Sequence, residues 1–177
     1  MKLLYAPLLG LLATVPHYAQ GSGDATGPWI TMSSPDPLTQ DIAHTVTQAV
    51  PEGTLIIRCV EMHKLSSKWL HSAGAVTENP LEVYVNWNQF ISLGPHGVTY
   101  RIGDGPLRQE RWSVSTNHKS TFAAKPKPFL RDLLAAPPGT LLILRTSPYS
   151  ENAVTATFNL DQLATAAATL GNCKIDK

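Results

Sequence analysis

The chain has 177 residues, 43% of them hydrophobic and 15% charged, with a formal net charge of +1. So low a charge density excludes a disordered charged tail and a coiled coil, and the near-neutral balance lacks the basic excess of a nucleic-acid binder. The 14 prolines and 12 glycines predict many short turns, and the two cysteines suffice for one disulfide but not for a zinc ribbon.

At the N-terminus, Lys2 precedes an apolar run from Leu3 to Val15, broken by Pro7, Gly10 and Thr14. A positive residue followed by an apolar stretch too short to span a bilayer reads as a signal peptide over residues 1–21. Cleavage is expected near residue 19 or 21, with Ala19 and Gly21 supplying small residues for the cut after Gly21. The competing reading, a buried first strand or helix, is disfavoured by Pro7, Gly10 and Pro16. Loss of Lys2 with the leader leaves basic and acidic residues equal in number. The destination is then the periplasm or the cell exterior, where a disulfide persists. No later stretch reaches membrane-spanning length, so no integral membrane segment is expected after leader removal.

Residues 22–28 read as a flexible lead-in and 29–177 as a single β-rich domain. Strands are predicted at Trp29–Ser33, Thr45–Val50 and Leu55–Val60. Leu81–Trp87 alternates, with Leu81, Val83, Val85 and Trp87 on one face. Val98–Ile102 does the same, and Gly103-Asp104-Gly105-Pro106 ends it. Arg111–Ser115 turns Trp112 and Val114 inward. Leu141–Arg145 is a continuous apolar run, and Val154–Phe158 alternates again. Two helices are predicted. Lys127–Ala135 carries Phe129, Leu130, Leu133 and Leu134 at helical spacing and stops at Pro137-Pro138-Gly139. Asp161–Leu170 is alanine-rich, with Asn159 as its cap, Gln162 three residues on and Gly171 at its end. The polar stretch His63–Pro80 fits no element and reads as a long excursion between strands. The expected fold is mainly β: an antiparallel β-sandwich or barrel-like sheet with two short helices, the last one C-terminal.

Cys59 alternates with Leu55 and Ile57, and Cys173 falls on the apolar stripe Leu160, Leu163, Ala167, Leu170. Both therefore face inward, and one disulfide pinning the last helix to the sheet is the simplest reading. A reactive thiolate or a metal ligand is the alternative, without a CxxC motif or a sequence-adjacent histidine to support it.

Motifs for catalysis are missing from the sequence: no G-x-S-x-G, no H-E-x-x-H and no P-loop. His63 and His71 lack a cysteine or carboxylate at ligand spacing, so no metal or cofactor is expected. Ser113 and Ser115 near His118 could supply a nucleophile and base, but hydroxyls on the polar side of a strand commonly serve as cross-strand partners. Arg101, Asp104, Arg108, Glu110 and Arg111 bracket the Gly-Asp-Gly-Pro turn. They read either as solvated turn charges or as a polar rim for a peptide, glycan or partner protein.

Taken in order, Leu55–Cys59 (LIIRC), Leu81–Trp87 (LEVYVNW), Val98–Pro106 (VTYRIGDGP) and Arg111–Asn117 (RWSVSTN) with Phe122 resemble the type VI secretion system-associated TagO/VasI family. So do Pro128–Leu133 (PFLRDL), Thr155–Leu163 (TATFNLDQL) and the last cysteine, Cys173. The resemblance runs from Trp29 to Cys173, and the His63–Pro80 excursion is longer than the family pattern. It implies an exported accessory protein of the bacterial envelope, without catalysis, that binds an envelope or secretion-system protein. The family's paired cysteines match Cys59 and Cys173. The matched positions Arg101, Asp104, Trp112, Ser115 and Thr116 are the surface it singles out. Two rivals stand beside it: a periplasmic cell-wall hydrolase or amidase using His118 with a serine or Asp104, and a structural or inhibitor-like module.

Overall fold

A computed structural model of the chain describes residues 27–63, 80–148, 152–171 and 173. The expected signal peptide, residues 22–26 of the lead-in and residues 64–79 of the excursion lie outside the described residues. Gly27, at the end of the lead-in, already donates its N–H to the Ala49 carbonyl at 3.1 Å.

The described strands are β1 (Ile30–Pro35), β2 (Ile42–Val50), β3 (Gly53–Glu61), β4 (Leu81–Asn86), β5 (His96–Ile102), β6 (Arg108–Val114), β7 (Ser120–Phe122), β8 (Leu141–Thr146) and β9 (Val154–Asn159). Two helices accompany them, α1 (Pro126–Leu134) and α2 (Leu163–Ala167). The strands form one open antiparallel sheet in the order β1-β2-β3-β4-β7-β6-β5-β8-β9. The mainly β architecture expected from alternation is therefore present, with a helix near each end of the β8–β9 hairpin in the chain. Every strand read from period-two alternation is there. The one missed is β7, whose three residues are too few to show a period.

β7 joins the two halves of the sheet. It pairs with β4 through Tyr84↔Phe122 and with β6 through Val114↔Thr121. The free ends also meet: the Trp29 indole N–H donates to the Asn159 carbonyl at 3.0 Å. The sheet thus folds over itself like a sandwich, and both halves share one core. Leu55, Ile57, Val83 and Val85 enter it from one half, and Tyr100, Trp112, Leu142, Leu144 and Phe158 from the other. Trp87 is as deeply buried, and its indole N–H donates to the Thr121 hydroxyl at 2.9 Å.

α1 starts on a proline, which fits a first helical turn because that N–H has no partner within the helix. It buries Phe129, Leu130 and Leu133, each worth about 1.5–3 kcal/mol as an upper bound. The Phe129 ring lies edge-on to Tyr100 at 5.0 Å and to Trp112 at 5.5 Å.

The last helix is shorter than its sequence predicts. The Asn159 side chain accepts from the Asp161 N–H at 2.8 Å, an Asx turn that competes with helix initiation rather than capping it. Gln162 takes a left-handed φ of 64°, so the helix begins at Leu163. Single turns through Thr169 and Leu170 then carry the chain to Gly171 at φ 65°. Cys173 follows and is disulfide-bonded to Cys59, with Cα atoms 6.0 Å apart across 114 residues of sequence. No helix among the described residues is long and apolar enough to cross a membrane.

Candidate functional site

The Gly-Asp-Gly-Pro turn after β5 forms one wall of a cleft. Gly103 adopts φ 52°, which a side chain disfavours, and donates its N–H to the Leu141 carbonyl at 2.8 Å. Gly105 donates to the Ile102 carbonyl at 3.0 Å, and a Cβ there would sit 2.9 Å from that same oxygen. These two glycines fold the turn back tightly, with Asp104 exposed at its tip.

The opposite wall is the segment between α1 and β8. The Thr140 hydroxyl donates to the Pro137 carbonyl at 2.6 Å, and the Gly139 N–H donates to the Asp161 carboxylate at 2.6 Å. The Leu160 N–H meets the Thr140 carbonyl at 3.0 Å. Two prolines and three hydrogen bonds leave this wall little freedom. Between the walls lies a cavity of about 630 Å³, reached by Arg101, Asp104, Pro138, Leu141 and Ile143. A smaller cavity of about 240 Å³ lies on the helix side of the same strand ends, shared with Tyr100, Arg108 and Asp132.

An ion pair ties this second cavity together. Arg108 donates to Asp132 at 2.7 Å, linking β6 to α1. Asp132 holds the Arg108 guanidinium still more firmly protonated than usual, with Tyr100 adding to the effect. Both side chains are largely open to solvent, which screens the pair, so it acts mainly in positioning. Tyr100 donates to Glu110, and burial pushes its phenol above the ordinary tyrosine range.

The five residues singled out from sequence do not share one place. Arg101 and Asp104 meet at the large cleft. Ser115 and Thr116 occupy the β6–β7 turn at the other end of β6, about 20 Å away along a seven-residue strand. Trp112, between them, is fully buried, with its indole N–H directed to Glu110 at 3.3 Å. It belongs to the core and cannot form part of an exposed binding surface without unpacking. Its inward alternation on β6 already pointed that way.

Ser115 organises its own turn. Its hydroxyl donates to Asn117 at 2.6 Å and accepts from the Ser120 N–H at 3.0 Å. His118 turns instead to the Ser92 carbonyl, which Nδ1 meets at 2.9 Å as donor. Ser115, His118 and Asp104 are therefore not gathered into a nucleophile, base and acid. A chain of that composition does occur elsewhere, unforeseen in the sequence. Ser33 Oγ lies 2.9 Å from His44 Nδ1, and His44 Nε2 lies 3.3 Å from Glu61 Oε2. Gly171 closes over it, since a Cβ there would fall 3.0 Å from His44 Nε2. This chain links β1, β2 and β3, and Gly171 of the segment that carries Cys173 lies against it. No signal in the sequence spacing could have joined three residues from three strands.

Also unforeseen was the use of Pro137–Leu141 as a cleft wall, although its proline pair was visible as a helix stop. Among the described residues no group of three or more histidine, cysteine or acidic side chains could hold a metal ion. The chain matches no family model, no curated protein and no solved structure.

Proposed function

We propose that the protein is an exported bacterial envelope component that acts by binding, with no catalytic step of its own. Its partner is an envelope or secretion-system protein, and association with type VI secretion is the reading that the sequence resemblance favours. It reaches the periplasm or the exterior after loss of a leader near residue 19 or 21. The observation that carries the binding reading is the cleft of about 630 Å³ with Arg101 and Asp104 at its rim and a braced wall opposite. A preformed, partly apolar cavity with a few polar groups is what a binding site needs. The Cys59–Cys173 disulfide suits an oxidising compartment.

The test is site-specific photo-crosslinking from position 104 or 140 in cells that express a type VI apparatus. The expected product is a covalent adduct whose partner peptides belong to an envelope or secretion-apparatus protein. Arg101→Ala with Asp104→Ala should abolish the adduct from position 140 while circular dichroism stays unchanged. An adduct that survives the double substitution would remove the cleft from the function.

A further inference from the structure

The register of three strands brings three arginines onto one surface. Thr99 of β5 lies opposite Arg145 of β8, Gly97 opposite Arg111 of β6, and Arg101 opposite Ile143. Val98, Tyr100, Trp112 and Leu144 of the same strands are buried, so the arginines occupy the outward face. All three are exposed, and every other side chain on the outward face of β6, β5, β8 and β9 is uncharged.

In a chain of net charge +1, three cations on one sheet face, with Asp104 as the acid at the cleft beyond them, is a segregation of charge. The ion pairs among the described residues are His44–Glu61, Arg58–Glu82 and Arg108–Asp132, and none involves these three. They step along the strand direction by about 6.6 Å, within a band roughly 10 Å wide. That step is also the spacing of alternate side chains in an extended peptide. Guanidinium forks recognise carboxylates in bidentate fashion, which suits them to such a row. At the Arg101 end the face runs into the large cleft, where Leu141 and Ile143 are apolar and partly accessible.

We propose that this face and its cleft dock an extended acidic segment of a protein. Carboxylates at alternate positions pair with Arg111, Arg145 and Arg101, and an apolar residue beyond them seats against Leu141. A polyanionic glycan, a nucleic acid or an anionic lipid surface would use the arginines but not the apolar cleft. The inference rests on the binding role of that cleft and gives its partner a chemistry.

The test uses the full chain and a fluorescent peptide with glutamate at alternate positions, ending in leucine, followed by anisotropy. Arg101→Gln with Arg145→Gln should weaken binding by about tenfold or more, because charge-assisted hydrogen bonds are lost. Arg131→Gln, on α1, should leave it unchanged. A glutamine version of the peptide should bind at least about tenfold more weakly, and Leu141→Asp should weaken the acidic peptide. Equal binding of the glutamine peptide, or no effect of the double substitution, would overturn the proposal. So would arginine-dependent binding of heparin, single-stranded DNA or phosphatidylglycerol vesicles that is tighter than that of the peptide. If the peptide fails while crosslinking at the cleft persists, the acidic partner is wrong and the cleft stands. If both fail, the binding reading falls as well.

Discussion

Tyr100 donates its phenolic hydrogen to Glu110 at 2.9 Å, and the same carboxylate receives the Trp112 indole at 3.3 Å. One acid thus serves two core aromatics beside the cleft. Burial holds the Tyr100 proton on, hydrogen bonding and repulsion from Glu110 add to this, and Arg108 opposes it. Tyr84 is shifted the same way, chiefly by burial. With both folded values raised, the unfolded chain releases these protons first. Their contribution is fully present below about pH 10 and is lost as the pH rises through the raised folded values. Denaturant midpoints measured across that range should fall, and Tyr84→Phe with Tyr100→Phe should flatten the fall. An equally steep decline in the double variant would contradict the assignment.

Trp112→Ala should cost about 3–5 kcal/mol, since it opens a cavity beneath Phe129 and Tyr100. Arg101→Gln should change stability by no more than about 0.5 kcal/mol, as an exposed side chain with no ion pair among the described residues. Urea unfolding of the two variants checks both statements. Similar costs would mean that the division between core and rim is misplaced.

Thr121→Val keeps the shape of a fully buried side chain and removes the acceptor of the Trp87 indole. The stranded N–H should cost about 1–3 kcal/mol, and Thr121→Ser should recover most of that hydrogen-bond component. A neutral Thr121→Val, measured by thermal or chemical unfolding, would show that the indole finds another partner.

How far the sequence could be read follows from these positions. Leu81–Trp87 alternates because one face is buried, and period two betrays that directly. Ser120–Phe122 is strand-like for another reason: a polar Thr121 is accepted in the core because Trp87 bonds to it across the chain. Local pattern holds no trace of a partner 34 residues away. Arg101 and Asp104 flanked a visible turn, so their meeting was legible. Pro137–Leu141 was legible only as a helix stop, since its pairing with Gly103 depends on the β5–β8 register. Ser33, His44 and Glu61 come together through two strand pairings that no spacing rule encodes.

Denatured under non-reducing conditions, the chain should show no thiol reactive toward alkylating agents, because Cys59 and Cys173 are joined. Reduction should lower stability by up to about 4–5 kcal/mol in the chain-entropy picture of so long a loop. Two titratable thiols before reduction would contradict the crosslink.

Ser33 offers a check on the proposal that the protein acts by binding alone. Its hydroxyl faces His44 Nδ1 on an exposed edge strand, while Gly171 crowds the Nε2 side where Glu61 lies. A fluorophosphonate probe should therefore leave the full chain unlabelled. Labelling lost in both Ser33→Ala and His44→Ala would instead establish a hydrolytic centre and overturn the non-catalytic reading.

β7 has three residues, yet it is the strand through which β4 and β6 are connected. On one side of it, β1 to β4 pair with their neighbours in sequence, and on the other β5 with β6 and β8 with β9 do likewise. The hairpins with short turns, β1–β2, β2–β3, β5–β6 and β6–β7, can assemble early, since short-range pairings close small loops. The β4–β7 pairing joins strands distant in sequence and must wait for those hairpins, as must the β5–β8 pairing across α1. Joining the two halves of the sheet therefore falls on the β4–β7 contact at Ser120–Phe122, and until it forms a partly assembled molecule exposes the unmatched edges of β4 and β7 to its neighbours.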